Sequence, residues 1–142
     1  MRLWHYDLFA YLPKQQLISQ WTELNSIYVK QDKHILINFI YEYDKVDLLI
    51  YSQWLLQEMN KRGYKYNLKN YYEYFKDLDQ DDVKDINTQW IVCEIFGRHM
   101  NPTYLHICCW NLYEKLIRGQ KGFTNEAEFY IYRTIFYAPI GR

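Results

Sequence analysis

The first helix is predicted by apolar residues that recur every three or four positions after Pro13. These residues are Leu17, Ile18, Trp21, Leu24 and Tyr28. Such spacing places them on one side of an α-helix, and that side can be buried in a core. Pro13 suits the first helical turn, where a missing N–H leaves no hydrogen bond unmade. The pattern therefore predicts a helix over residues 13–28, with Trp21 in the core.

A second helix is predicted over residues 44–63, which read DKVDLLIYSQWLLQEMNKRG. Asp44 or Asp47 can cap its start, and apolar residues fill one side of it. The cationic pair before Gly63 suits the last turn, because the carbonyl end of a helix attracts positive charge. Gly63 can then take the left-handed conformation that commonly ends a helix. The preceding residues 33–44, KHILINFIYEYD, fit a strand or a helix equally well.

A third helix is predicted over residues 101–119, which read NPTYLHICCWNLYEKLIRG. Asn101 is the predicted N-cap, and Pro102 suits the first helical position. The core-facing positions of this helix are Leu105, Cys108, Cys109, Leu112 and Leu116. A neighbouring side of the helix carries Tyr104, Asn111, Lys115 and Arg118.

Three long helices and little convincing strand predict a mostly α fold, a compact single domain over residues 1–142. The length of 142 residues is that of one domain, and 49% hydrophobic residues suffice for a core. The tail over residues 128–142, EFYIYRTIFYAPIGR, has a strand-like, aromatic-rich composition but no clear period. We therefore expect an irregular, aromatic-rich C-terminal tail beside three principal helices.

Charge is balanced over the whole chain but unevenly distributed along it. The 17 basic residues equal the 17 acidic ones, which argues against a strongly basic nucleic-acid binder. Residues 73–85, EYFKDLDQDDVKD, contain six acids and two lysines, and we expect an exposed loop or short helix there. The rest of the chain has an excess of four positive charges, enough for a modestly positive face. Aromatic residues form 20% of the chain, which suits either core packing or stacking against bases.

The chain lacks the signatures of several protein classes. Its three cysteines, two of them adjacent, do not suggest a disulfide framework, and its four histidines lack a metal-binding spacing. We therefore expect a reducing compartment and no metal. No run is apolar and long enough for a signal peptide or a bilayer span, so a cytoplasmic protein without a membrane partner is expected. P-loop, GxGxxG and GxSxG motifs are absent from the sequence, which leaves few enzyme signatures.

Glu23 is the single carboxylate on an otherwise uncharged face of the first predicted helix. It lies away from the apolar side, on a face shared with Gln16 and Ser19. A surface glutamate on a helix usually has a basic residue three or four positions away. Those positions here hold Ser19, Gln20, Ser26 and Ile27. An ordinary solvated glutamate explains this pattern, and so does a carboxylate kept free for chemistry.

Five short motifs, taken in order, resemble a known enzyme family. They are MRLWHYDLFAYLPKQQL at 1–17, WTEL at 21–24, KH at 33–34, LLQEMNKRGY at 55–64 and NLYEKLIRGQ at 111–120. Together they resemble the pyrimidine-dimer DNA glycosylase/AP lyase family of phage endonuclease V-like enzymes. The opening is similar to a bacterial branch of that family whose members begin MRLWH. Each motif is short, so the resemblance depends on their order and spacing between Met1 and about Gly119.

The resemblance implies a catalytic pair formed by Met1 and Glu23. In this family the α-amine of the first residue attacks C1′ of the damaged nucleotide, expels the base and forms a Schiff base. β-Elimination then breaks the strand. An α-amine has an ordinary pKa of about 7.7–8.0, so part of it is neutral near pH 7. Glu23 falls at the position of the family's catalytic glutamate, which would stabilise positive charge at the sugar and move protons.

The first two residues carry one agreement with the family and one departure from it. Arg2 follows Met1 as an arginine follows the nucleophile in the family. It is expected to hold a phosphate and to lower the pKa of the amine by like-charge repulsion. A bulky second residue should keep Met1 in place, whereas the characterised family enzyme loses its methionine and exposes a threonine.

The resemblance also implies a set of DNA contacts. Besides Arg2, the DNA-binding candidates are Gln15, Gln16, Lys33, His34, Lys115 and Arg118. Departures from the family are Gln16 in place of a histidine, Thr22 and Ser26 in place of arginines, and Asn111 in place of a basic residue. Fewer cations should weaken phosphate affinity and lower the dependence of binding on salt by about 0.9 per lost contact.

The preferred hypothesis is a metal-independent DNA glycosylase/AP lyase that excises a damaged base, either a pyrimidine dimer or a related lesion. Its expected partner is damaged double-stranded DNA, and a monomer is expected. No cofactor is expected, because the amine and the carboxylate suffice for these steps. A glycosylase must take a base out of the stack, which makes Trp4, Trp21 and the aromatic tail candidate stacking surfaces, although the apolar pattern favours the core for Trp21. The alternative is a non-catalytic nucleic-acid or protein-binding module on the same helical scaffold.

Overall fold

The computed structural model describes residues 2–78 and 95–137. Its helices are α1 (Lys14–Lys30), α2 (Lys45–Lys61), α3 (Lys69–Phe75), α4 (Pro102–Ile117) and α5 (Asn125–Tyr137), with 3₁₀ turns at Tyr6–Leu8 and Asn38–Glu42. Within those two ranges no residue forms a β-strand, and the predicted mostly α fold is confirmed. Met1 and residues 79–85 of the acidic segment lie outside the described residues.

The three predicted long helices form close to their predicted positions. Pro13 precedes α1 at the N-cap position instead of lying inside the first turn. Asp44 occupies the N-cap position of α2, and Gly63 follows its end with a φ of 76°, which is the left-handed conformation. Asn101 caps α4, because its side chain accepts a hydrogen bond from the Tyr104 N–H at 2.9 Å. Asp44 makes no capping hydrogen bond with its side chain, and Asp47 accepts the Phe96 N–H instead, so of the predicted caps Asn101 is the one whose side chain bonds its own helix.

The segment between α1 and α2, for which a strand and a helix fitted equally well, forms neither a strand nor an α-helix. It passes through a turn at 35–37 into the 3₁₀ turn at 38–42. His34 organises this turn, because its Nδ1 accepts the Leu36 N–H at 3.2 Å and its carbonyl accepts the Ile37 N–H at 2.9 Å. Ile37 is fully buried, so the apolar residues here serve a compact turn without a helical or strand period.

The C-terminal aromatic segment belongs to a helix over Asn125–Tyr137, so the prediction of an irregular tail is wrong for residues 128–137, and residues 138–142 of that tail lie outside the described residues. This helix, α5, packs on α4 and buries Ala127, Ile131 and Thr134, which recur at spacings of four and three. Thr124 Oγ1 accepts the Ala127 N–H at 3.0 Å and caps the start of the helix. Most aromatic side chains of α5 lie on its exposed side. Because apolar residues therefore occur on both sides of the helix, the sequence shows no clear helical period.

The core combines residues of the long helices with residues of the amino-terminal segment. Trp21 is buried, as predicted from its place in the apolar pattern of α1. Cys108 and Cys109 are buried free thiols, which agrees with their predicted core-facing positions on α4. None of the helices in the described part of the chain has both the length and the apolar composition that crossing a bilayer requires.

The chain that leads into α1 is fixed to the end of α2 by Arg62. Its Nη1 donates to the Leu12 carbonyl at 2.7 Å. Its Nη2 donates to the carbonyls of Phe9 and Ala10, each at 3.2 Å. Its Nε donates to Oε2 of Glu58 at 2.8 Å. We refer to these contacts as the Arg62 clamp, which holds the start of α1 against α2.

Candidate active site

The amino-terminal segment, residues 2–5, is an extended stretch of chain that side chains hold in place. The side chains of all but its first residue are buried. Gln20 of α1 uses both ends of its amide on this segment. Its Nε2 donates to the Arg2 carbonyl at 3.3 Å, and its Oε1 accepts the Trp4 N–H at 2.7 Å. A single buried amide therefore anchors the segment to α1.

Two tyrosines from other helices complete this attachment. Tyr51 of α2 donates to the Trp4 carbonyl at 2.6 Å, and Tyr104 of α4 donates to the Leu3 carbonyl. Burial raises the pKa of both phenols, so their hydroxyls stay protonated and remain donors. Three successive carbonyls of the segment thus accept hydrogen bonds from three different helices.

The amino-terminal segment borders a polar cavity of about 480 Å³, which we call the hollow. It is lined by Arg2, Trp4, Gln15, Gln16, Ser19, Gln20, Glu23, Leu36, Asn111 and Lys115. Half of these residues come from α1, and the others come from the segment, from α4 and from the turn before α2. All of the ten except Leu36 carry a charge or a hydrogen-bonding side chain, which makes the hollow suited to a polar ligand.

Glu23 lies in the hollow with an incompletely satisfied carboxylate. The residue is only 9% exposed, and its Oε1 has no hydrogen-bond partner among the described residues. Burial raises the pKa of this carboxyl above its ordinary value of 4.5, and the negative charge of Asp32 raises it further. Such a carboxyl exchanges protons closer to neutral pH than an exposed glutamate does. Glu23 is therefore buried rather than solvated, in contrast to an ordinary surface glutamate.

Two cations, Arg2 and Lys115, line the hollow. Within the described ranges, neither of them forms an ion pair with a carboxylate. Burial raises the pKa of the Tyr104 hydroxyl and of the Cys108 thiol, and the nearby Arg2 charge opposes both rises. Arg2 therefore lies next to α4. Both cations can bind a phosphate without first losing a salt bridge.

Amide side chains form one wall of the hollow. Gln16 and Gln120 bond reciprocally, with Gln16 Nε2 donating at 3.1 Å and Gln120 Nε2 donating at 2.5 Å. This pair joins α1 to the chain that follows α4. Asn111 Nδ2 donates to the Ile107 carbonyl at 2.8 Å, and Gln15 is exposed. Gln15 is thus free of the constraint that holds Gln16 in the wall.

The other predicted site residues lie around the hollow or outside it. Lys33 lines an open depression at the end of α1. His34 is exposed, and its charge opposes the rise in the pKa of Glu23. Arg118 does not line the hollow, and it pairs at 3.1 Å with the glutamate one turn before it. Met1 lies outside the described residues.

The candidate stacking residues divide into a buried and an exposed group. Trp4 lines the hollow but is only 7% exposed, which leaves little of its ring for contact with a base. The α5 residues Phe129 and Phe136 are 68% and 52% exposed, but neither lines the hollow. These two exposed rings therefore do not border the hollow that contains Glu23.

The chemistry available in the hollow comes from a carboxylate, two cations and several amides. Among the described residues, Glu23 supplies the one carboxylate that lines the hollow. In the described ranges, no three His, Cys, Asp or Glu side chains lie together so that they could hold a metal ion. The arrangement can move a proton, stabilise a positive charge beside the carboxylate and bind a phosphate.

Two residues of this arrangement, Gln20 and Tyr51, escape the prediction from sequence. Gln20 is a polar residue beside Trp21, and it becomes buried at 2% exposure. Tyr51 interrupts the apolar run LLIYSQWLL, where a buried hydroxyl needs a hydrogen-bond partner. In both cases the sequence shows a polar group among apolar residues, which indicates a buried hydrogen bond. It does not indicate which group is the hydrogen-bond partner.

The amino-terminal half of the chain matches a known protein family. Residues 1–72, half of the chain, match the family described as pyrimidine dimer DNA glycosylase. The matched part includes the amino-terminal segment, α1 and α2, and therefore eight of the ten residues that line the hollow. Asn111 and Lys115 of α4 lie beyond it. No curated protein and no solved structure matches the chain.

Proposed function

This chain belongs to the pyrimidine dimer DNA glycosylase family, and we propose that it excises the damaged base through amine chemistry in the hollow. The reaction would use the α-amine of Met1 and the carboxyl of Glu23, and β-elimination would then cut the strand. The observation that carries the proposal is that Arg2 and Glu23 line the same hollow. Met1 is bonded to Arg2, and consecutive Cα atoms are only about 3.8 Å apart.

The proposed steps form and break bonds at C1′ and C2′ of the damaged nucleotide. The neutral amine of Met1 attacks C1′, and the bond from C1′ to the base breaks as the base leaves with its electron pair and takes up a proton. The nitrogen then loses a proton, the C1′–O4′ bond breaks as O4′ takes up a proton, and the C1′=N bond of the Schiff base forms. Removal of a C2′ proton then expels the 3′ phosphate and breaks the strand. Glu23 would stabilise the positive charge at C1′ and carry protons between these groups.

The electrostatics of the hollow favour these roles. Burial and the charge of Asp32 raise the pKa of Glu23, so this carboxyl can hold a proton during turnover. A carboxylate paired with a neighbouring cation would instead stay ionised. The positive charge of Arg2 would lower the pKa of the adjacent amine and enlarge its neutral fraction.

The cations at the hollow and beside it would bind the DNA backbone. We assign phosphate contacts to Arg2 and Lys115 inside the hollow, and to Lys33 and His34 next to it. Gln15 would contribute an exposed amide, whereas Gln16 would act mainly through the wall that it forms with its partner amide. Arg118 would have a peripheral role, because it is outside the hollow and its side chain is 76% exposed. With so few cations, binding should be modest and only moderately dependent on salt.

Borohydride trapping tests this proposal directly. The untagged protein is incubated with duplexes that contain a pyrimidine dimer or an abasic site, and borohydride then reduces any Schiff base to a stable adduct. We expect a covalent protein–DNA band whose adduct maps to the first peptide. Acetylation of the amino terminus should abolish the band, and Glu23→Gln should reduce it by about 100-fold or more. Glu114→Gln, which removes an exposed carboxylate outside the hollow, serves as the control.

Each remaining outcome has a separate meaning. A band with the abasic duplex alone indicates a lyase that does not excise the dimer. An adduct on a lysine peptide contradicts the assignment of the nucleophile to Met1. The absence of a band with every duplex, together with salt-dependent DNA binding, contradicts the enzyme and supports a non-catalytic binding module.

A further inference from the structure

Gln20 is the centre of a buried hydrogen-bond network at the amino-terminal segment. Its Oε1 lies 2.7 Å from the Trp4 nitrogen and 3.0 Å from the Tyr51 hydroxyl, while its Nε2 donates to the Arg2 carbonyl. The Tyr51 hydroxyl is also 2.6 Å from the Trp4 carbonyl, so α1, α2 and the segment share one set of contacts. Gln20 is 2% exposed, and solvent does not replace these bonds.

The backbone of the first part of the segment is bonded by side chains of other elements, while its own Leu3 and Trp4 side chains are buried in the core. In the described part of the chain, no backbone-to-backbone hydrogen bond involves residues 2–4. Their three carbonyls instead accept from Gln20, Tyr51 and Tyr104. In a sheet, a backbone ladder would keep this stretch in place after the loss of one side chain. Here the loss of Gln20 would leave the Arg2 carbonyl and the Trp4 N–H without these bonds, although Leu3 and Trp4 would still be packed in the core.

We propose that Gln20, with Tyr51 and Tyr104, is a positioning residue for the nucleophilic amine, an inference that rests on the proposed function. Gln20 holds the carbonyl of Arg2, which is the residue bonded to Met1, and it precedes Glu23 by one turn of α1. One rigid helix therefore carries both the acid and the anchor of the segment that bears the amine. The reacting atoms must approach to about 3–3.5 Å, and a displacement of about 1 Å lowers the rate roughly 100-fold.

A role in stability alone is the competing explanation, and a matched hydroxyl elsewhere in the core separates the two. Tyr28 of α1 shares a buried hydrogen bond with Ser52 of α2. This bond joins the same two helices as the contact between Gln20 and Tyr51, but it does not involve the amino-terminal segment. Tyr28→Phe therefore removes one buried bond between α1 and α2 without changing the attachment of the segment.

The first test measures the amine itself and does not require activity. Reductive methylation with ¹³C-formaldehyde labels the α-amine, whose NMR signal is titrated with pH and separated from the lysine signals. In Gln20→Met we expect a narrower signal and a pKa closer to that of a free terminus, about 7.7–8.0. Tyr28→Phe should keep the wild-type titration. An unchanged titration in Gln20→Met, or an equal change in Tyr28→Phe, overturns the proposal.

The second test separates chemistry from binding. On an abasic duplex, Gln20→Met should slow borohydride trapping about tenfold or more, while its affinity for the duplex stays within about twofold of wild type. Tyr104→Phe, which removes one partly buried hydroxyl, should slow trapping in the same direction and covers the case in which Gln20→Met fails to fold. Equal slowing by Tyr28→Phe contradicts the positioning role. If the wild-type protein gives no adduct, the proposed function fails, and the amine titration still decides the role of Gln20.

Discussion

Glu58 and Glu23 are both largely removed from solvent, but their carboxylates have opposite surroundings. The Glu58 side chain is 13% exposed, and its Oε2 accepts a hydrogen bond from Arg62 at 2.8 Å within the Arg62 clamp. Arg62 in turn donates to three backbone carbonyls. Glu23 is 9% exposed, and its Oε1 has no partner in the described residues. One carboxylate completes a network, and the other faces an open hollow.

This difference separates a structural ion pair from a candidate catalytic group. Hydrogen bonds that involve a charged group contribute about 1.5–3 kcal/mol each, so the Arg62 clamp should stabilise the fold. A buried polar atom without a partner reduces stability by about 1–3 kcal/mol, so Glu23 should destabilise it. A destabilising carboxyl that borders a polar cavity fits a role in chemistry better than a role in folding.

The largest effect is expected from breaking the Arg62 clamp. Arg62→Met should lower the free energy of unfolding by about 3 kcal/mol, because it leaves Glu58 and the loop carbonyls without their donor. Urea unfolding followed by circular dichroism measures this loss. Arg118→Met is the control, since that side chain is 76% exposed and should change stability by less than about 0.5 kcal/mol. Equal losses in the two variants would contradict a structural role for the clamp.

In the hollow, by contrast, a substitution at Glu23 is expected to stabilise the fold. Glu23→Gln should raise the free energy of unfolding at pH 7 by about 1 kcal/mol, because a neutral amide is less costly to bury than an unpartnered carboxylate. Glu58→Gln should lower it, since the amide cannot replace the charged partner of Arg62. Both variants are measured by urea unfolding at the same pH. A loss of stability in Glu23→Gln would show that the carboxylate has a stabilising partner.

The pH dependence of stability tests the same contrast between an unpartnered and a paired carboxylate. The folded protein raises the pKa of Glu23 above its ordinary value of 4.5, chiefly by burial, so folding favours the protonated carboxyl. The contribution of Glu23 to stability is therefore largest below about pH 4.5 and is lost as the pH rises through the raised pKa. The advantage of Glu23→Gln over wild type should be smallest near pH 4 and should grow toward neutral pH. An advantage that stays constant across this range would contradict the raised pKa.

The parts of the fold that could be predicted are those fixed by nearby residues. Asn101 caps α4 and Gly63 follows α2 as their local chemistry indicates, so these helix ends are readable from sequence. The sequence does not predict the helix over 125–137, because its buried side is formed by only Ala127, Ile131 and Thr134. These residues are recognised as a core-facing side only when the helix is seen packed on α4. The residues from 33 to 44 were ambiguous because a 3₁₀ turn buries apolar side chains without a regular period.

The residues of the site also divide into those that the sequence predicts and those that it does not. The resemblance to a family pointed to Arg2, Glu23 and Lys115, and these three residues line one hollow. Gln20 could not be predicted, because its partners are backbone groups 16 and 18 residues earlier, and pattern alone does not pair a side chain with a distant carbonyl. Arg118 shares a helical side with Lys115 in sequence, yet an ion pair holds it elsewhere.

The smallest expected effect is a change in the salt dependence of DNA binding when Lys115 or Arg118 is replaced. It extends the comparison of two carboxylates to two cationic side chains. Lys115 lines the hollow without an ion pair in the described residues, whereas Arg118 is paired and exposed. Lys115→Gln should therefore lower the slope of log affinity against log salt by about 0.9, which corresponds to one phosphate contact. Arg118→Gln should leave the slope within error, because that cation is already neutralised by its glutamate and lies outside the hollow. Fluorescence anisotropy with an abasic duplex at several salt concentrations measures both slopes. Equal changes in the two variants would mean that the DNA spreads over the outer face of α4, and the hollow would then no longer mark the place where the backbone binds.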